Sequence, residues 1–144
     1  MTAFAISENR TAVRQRPIAV SLALMGVTIA AGLSVRFVHL GQPPSAVKFG
    51  GSALWAVMIY WVSSTVLPSW RIAWHILLSG MLGSAVEFFK LYDPAWLDAF
   101  RHTLPGIILL GRIFNPLDIV VYWVAIAAAA GVDVFVRRRV CRTF

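Results

Sequence analysis

EFFKLYDPAWLDAFRHTLPGIILLGRIFNPLD, residues 87–118, decides the fold. Eight ionisable residues fall within it: Glu87, Lys90, Asp93, Asp98, Arg101, His102, Arg112 and Asp118, including four of the six acids in the chain. Long apolar runs flank it, uncharged from Ile72 to Val86 on one side and broken only by Asp133 up to Val136 on the other. Ionisable groups at hydrocarbon depth cost about 2.5–3.5 kcal/mol each even on lenient scales, so such a cluster is paired, wet or functional. The stretch therefore reads as the connection between two membrane spans and as the place where chemistry concentrates.

Working outward, Pro116 to Val136 is a span with a strong start signal: Asn115 as N-cap, Pro116 at the first helical position and an acid, Asp118, at the third. Asp133, near the end of that span, is placed to pair with Arg137 one turn later. On the other side, Trp70 to Leu91 is a span that carries Glu87 into the outer edge of the hydrocarbon, facing protein. Gly80, Gly83 and Ser84 leave a thin strip on it where another helix, a lipid or water can approach. His75 on the same helix reads as a packed, hydrogen-bonded residue rather than a ligand. Between the two spans, Asp93-Pro94 breaks the helix and Pro94 to His102 forms a short interfacial helix, with Asp93 as its cap and Asp98, Arg101 and His102 on one face. Thr103 to Gly111 is too short to span and holds Pro105-Gly106, so it is a re-entrant or interfacial segment.

Two more spans precede these. Residues 49–67 form an uncharged run closed by Pro68, and a tight turn makes this span an antiparallel hairpin with the next. Residues 17–39 form the first span, opened by Pro17; the run is longer than the apolar segment of a cleaved signal peptide, so it is read as retained. The expected fold is an all-α membrane protein of four transmembrane helices, about 17–39, 49–67, 70–91 and 116–136, with the interfacial helix and re-entrant segment between spans three and four. Residues 1–16 are a cytoplasmic tail, 17–136 one transmembrane domain, and 137–144 a basic cytoplasmic tail.

Composition agrees. Of 144 residues, 59% are hydrophobic and 13% charged, and mean hydropathy is +0.76, outside the soluble globular range. The net charge of +7 has no solvated domain on which to build a nucleic-acid surface, so it is read as topology signal. The tails and the second loop hold more Lys and Arg than the opposite side, which puts both termini in the cytoplasm and residues 87–118 outside, joined there by Arg36 and His39. The single cysteine, Cys141, has no partner for an internal disulfide.

Candidate ligand-binding residues are Arg36, His39, Glu87, Asp98, Arg101 and Asp118. Arginines at an interface clamp phosphate or carboxylate, and a buried carboxylate beside them takes a cationic or protic group. Glu87 is expected to pair with Lys90 or Arg101, and Glu87, Arg101 and Asp118 to form one charge-coupled unit. No nucleophile motif, metal-ligand spacing or cofactor motif accompanies them. The partners implied are membrane lipid, an anionic lipid or cell-wall precursor, or a membrane protein. The function read here is therefore a non-catalytic binding module, with an intramembrane enzyme or a small transporter as the alternatives.

Residues from about Arg36 to Tyr122 resemble a known group. Arg36-Phe37-Val38-His39, Gly50 to Ala56, Glu87, Leu91-Tyr92, Trp96-Leu97-Asp98, Arg101, Leu110-Gly111, Phe114, Asp118 and Tyr122 are similar to small bacterial membrane proteins catalogued as a domain of unknown function. More distantly, they resemble the VanZ-like proteins linked to teicoplanin resistance. The resemblance implies four spans and a role in the cell envelope. The chain departs from the pattern at Lys90, where that group usually has Gln, and at Ala125, where Gly is expected.

Overall fold

Apolar sequence in lipid folds with its polar and small residues inward, since lipid solvates the apolar face as well as a protein core does. The computed structural model, which describes residues 16–38, 41–111 and 113–140, follows that rule. Its helices are α1 (Ile18–Phe37), α2 (Pro44–Val66), α3 (Ile72–Phe89), α4 (Ala95–Arg101), α5 (Leu104–Leu109) and α6 (Pro116–Val140). No strand occurs among the described residues. Four helices, α1, α2, α3 and α6, are long and apolar enough to cross a membrane. The buried residues of α3 are His75, Ser79, Gly80, Gly83 and Glu87, none of them an aliphatic. Its outward face carries Trp74, Leu77, Met81, Leu82 and Phe88. This is an integral membrane protein.

The helix ends differ from the apolar runs for local reasons. α2 begins at Pro44, five residues before the expected start, because proline suits the first turn and Lys48 lies near the end, where its stem can lie in lipid and its ammonium in water. α6 continues to Val140 because Arg137 returns to Asp133 across one turn at 2.8 Å, the expected pair. α3 stops at Phe89, two residues short of expectation, in tight turns where Lys90, Leu91 and Tyr92 donate to carbonyls three residues back. The N-cap of α4 is Pro94, and Asp93 does not cap it but turns toward Arg101. At α6 the expected cap is present, with the Leu117 amide donating to Asn115 Oδ1 at 3.2 Å.

α2 is the central helix and packs against α1, α3 and α6; α3 also packs against α6, whereas α1 rests on α2 alone. The core lies where α2 meets α6, around Ala56, Tyr60, Trp61, Tyr122, Ile126, Ala129 and Ala130. The small strip on α3 receives α6: a Cβ at Gly80 would lie 2.5 Å from the ring of Trp123, so only glycine admits that contact. Because α1 does not close on α6, a gap remains beside α2. The segment expected to be re-entrant or interfacial takes the form of α5, packed on α4 and lying over that gap. Thr103 Oγ1 caps α5 by accepting from the Gly106 amide, and Gly111, at φ 66°, ends the segment with a left-handed turn.

Candidate functional site

Two buried carboxylates mark the two ends of the bundle. At one end is Glu87, fully buried, with three donors: Lys90 Nζ and Tyr122 Oη to Oε2, the latter at 3.1 Å, and the Asn115 amide to Oε1 at 2.7 Å. The carboxylate thus ties the last turn of α3 to the entry and first turns of α6. Of the two expected partners of Glu87, the structure has Lys90. Arg101 does something else: its guanidinium donates to the Phe89 and Tyr92 carbonyls at 2.9 and 3.1 Å and to Asp93 Oδ1 at 3.2 Å. The early end of α3 leaves carbonyls without intrahelical donors, and a five-donor guanidinium satisfies several at once. The expected three-residue unit is therefore a pair of neighbouring carboxylates, Glu87 and Asp118, without Arg101.

Asp118 lies in the first turn of α6, 2% exposed, where the helix dipole favours its charge. Its Oδ1 is shut off from solvent without a hydrogen-bond partner among the described residues. Lys48, Glu87 and Lys90 are its charged neighbours. It borders a cavity of about 560 Å³ between α1, α2, α5 and α6, the gap that α1 leaves open. Arg36, Lys48 and Lys90 also line this cavity, and Arg36 reaches over it to the Ile107 carbonyl at 3.4 Å. Deeper in, the walls are Ile29, Leu33, Leu54, Trp55 and Met58. On α2 the lining residues Lys48, Ser52, Trp55 and Met58 recur every three or four positions, so one face of the helix forms the floor. From Lys48 to Met58 that floor descends roughly 15 Å, about half the thickness of a bilayer core.

Of the sequence candidates, Arg36 and Asp118 line this groove and Glu87 supports it through Lys90. Arg101 stands apart, on the loop carbonyls. Asp98 is exposed on α4 and faces His102 at 3.5 Å. His39, with Arg112 and Cys141, lies outside the described residues. Sequence reasoning missed Lys48 and Trp55 as lining residues, although their seven-residue spacing puts them on one helical face.

At the opposite end stands Asp133, also fully buried. Arg16 donates to Oδ1 at 2.6 Å, Arg137 to Oδ1 at 2.8 Å and Tyr60 to Oδ2 at 2.8 Å. Arg16 also donates to Ser21 and Ser64 and stacks over the Trp61 ring at 4.7 Å. Burial pulls the Arg16 guanidinium below its ordinary pKa while Asp133 pulls it back up. Only the Asp133–Arg137 pair was legible in the sequence. His75 packs close by against the rings of Tyr60 and Trp70 as expected, but neither of its ring nitrogens has a hydrogen-bond partner among the described residues, because aromatic rings surround it.

The fold and groove define a class: a four-span integral membrane protein with a one-sided, half-depth cavity whose mouth is cationic. Residues 41–126 match the family described as Protein of unknown function (DUF2809), and with more than half of its length matched the chain belongs to that family. The matched stretch runs from the start of α2 to the middle of α6, so it contains Lys48, Glu87, Lys90, Asp118 and Tyr122 and ends before Asp133. No solved structure matches the chain.

Proposed function

We propose that this protein is a non-catalytic module that holds an anionic lipid in the groove at its Glu87 end. The observation that carries the reading is the composition of that cavity along its depth: arginine and lysines at the mouth, aliphatic and aromatic side chains below. An amphiphile with an anionic head matches both halves, and the groove's descent of about half a bilayer fits one leaflet. The excess of basic residues in the tails supports placing both termini in the cytoplasm of a plasma membrane, so that the groove opens to the outer leaflet. That placement, and the resemblance to VanZ-like proteins, support an envelope-associated role in a bacterium.

The test is lipid retention by the detergent-purified full chain, read by native mass spectrometry after exposure to equal amounts of phosphatidylglycerol and phosphatidylcholine. The wild type should retain the anionic lipid preferentially. At about 1 kcal/mol per basic residue, Arg36→Gln with Lys48→Gln should weaken that preference roughly 30-fold. Equal retention of the two lipids would overturn the proposal, and capture of a polyprenyl-linked cell-wall precursor or a protein instead would redirect it. Orientation is tested separately: a tag between Asp93 and Thr103 should be accessible from outside, and reporters at either terminus should read cytoplasmic.

A further inference from the structure

Two polar atoms in the groove residues have no hydrogen-bond partner among the described residues: the carboxylate Oδ1 of Asp118, an acceptor, and the indole Nε1–H of Trp55, a donor. Buried groups left this way are rare in native structures, because each loses its water and gains nothing in return. Both belong to residues bordering the same cavity, and each atom is itself out of reach of solvent, so a molecule seated there meets it only after the side chain rotates toward the cavity. Asp118 is at the mouth, at the start of α6. Trp55 is two turns below Lys48 on the same face of α2, and helical side chains lean toward the N-terminus, which brings its ring back toward Lys48.

The charge of the site narrows the occupant. Arg36, Lys48 and Lys90 face Glu87 and Asp118, leaving one formal positive charge among the described residues. A phosphodiester, with a single negative charge, neutralises that excess. A phosphomonoester carries about 1.5–2 negative charges and overshoots. A headgroup ammonium would satisfy Asp118 but would add a cation beside three others. A hydroxyl satisfies Asp118 without changing the charge.

We infer that the groove selects an ester-linked phosphodiester lipid whose headgroup carries a hydroxyl. The phosphate sits between Arg36 and Lys48, the hydroxyl donates to Asp118, and Trp55 donates to an ester carbonyl at the top of an acyl chain. A flip of the carboxylate about χ2, which is broad and two-fold, presents either oxygen to the hydroxyl. The inference rests on the lipid-binding reading above and adds the identity of the head.

The decisive comparison is phosphatidylglycerol against phosphatidylmethanol with the same acyl chains, because both are singly charged phosphodiesters and only the first has free hydroxyls. Wild-type protein should retain phosphatidylglycerol about tenfold better, the scale of one buried hydrogen bond. Asp118→Leu should bring the ratio to about one by lowering phosphatidylglycerol retention toward that of phosphatidylmethanol. If that variant does not fold, the wild-type ratio still decides. Trp55→Phe should weaken the diester lipid several-fold and leave its diether analogue unchanged; equal loss of both would overturn the carbonyl contact. A wild-type ratio of one, with both lipids lost in the Arg36→Gln, Lys48→Gln variant, would overturn headgroup selection and leave anionic-lipid binding standing. Retention of phosphatidylethanolamine equal to phosphatidylglycerol would overturn the hydroxyl assignment. Failure to retain either phosphodiester above phosphatidylcholine would overturn both proposals.

Discussion

At the Asp133 end of the bundle a buried carboxylate meets two guanidiniums and a phenol, and helices α2 and α6 are tied to the residue that leads into α1. At the Glu87 end another buried carboxylate is equally well served by Lys90, Tyr122 and Asn115, yet its neighbour Asp118 has no hydrogen-bond partner and a cavity opens beside it. The same residue types do different work. A closed network with every oxygen satisfied holds helices together. An acceptor with no partner among the described residues, beside a cationic, half-apolar cavity, is what the proposed lipid headgroup would meet.

If that contrast holds, the largest effect on stability comes from the Asp133 end. Asp133→Ala leaves Arg16 and Arg137 buried without their shared carboxylate, which typically costs about 3–5 kcal/mol. Thermal unfolding in detergent should show this as the steepest loss among the variants considered. Combining it with Arg16→Gln should recover part of the loss, since one of the stranded charges is then gone. Lipid retention by the folded fraction should be unchanged. A loss of retention equal to that of the groove variants would break the division of labour between the two ends.

Arg101→Gln is next in size. It strips the Phe89 and Tyr92 carbonyls of a charged donor, and hydrogen bonds to charged groups are worth about 1.5–3 kcal/mol. Because Arg101 sits outside the groove, the loss should appear in stability and leave the headgroup ratio unchanged. A changed ratio with unchanged stability would return Arg101 to the binding site, where the sequence alone had put it.

The architecture was legible because it rests on strong signals. Uninterrupted apolar runs locate four spans, and Asn115-Pro116 with Asp118 marks the start of α6 to the residue. Helix ends were less legible, since an apolar run stops at the first charge whereas the helix does not: Lys48 lies inside α2, and Arg137 extends α6 by bonding back to Asp133. The pairing of charges was legible only where partners are local: Asp133–Arg137 was expected outright and Glu87–Lys90 as one of two alternatives. Arg16 with Asp133, or the Asn115 amide with Glu87, depends on which helices meet, and one chain's periodicity does not carry that. Arg101 was assigned to Glu87 on depth alone; the Phe89 and Tyr92 carbonyls at the early end of α3 were closer competitors.

The smallest effect is the sharpest test of the comparison, because its expected sign is opposite to the others. Asp118→Leu removes a carboxylate from the first turn of α6, where its charge favours the helix dipole by about 0.3–1 kcal/mol. It also removes a buried acceptor with no partner, and such an orphan typically costs about 1–3 kcal/mol. Leucine is the larger side chain but the groove has room for it, and the lost attraction to Lys48 and Lys90 trims the gain, so the second term outweighs the first only slightly. In detergent without phospholipid the variant should unfold at the same temperature as the wild type or slightly above it. Adding phosphatidylglycerol should then raise the wild type more than the variant, because a ligand stabilises a protein in proportion to how tightly the folded state binds it. The two melting curves should therefore change order, or open a gap in favour of the wild type, as lipid is added. A loss of several kcal/mol in lipid-free detergent would mean that Asp118 is a structural group like Asp133, and the two ends of the bundle would then differ in shape but not in purpose.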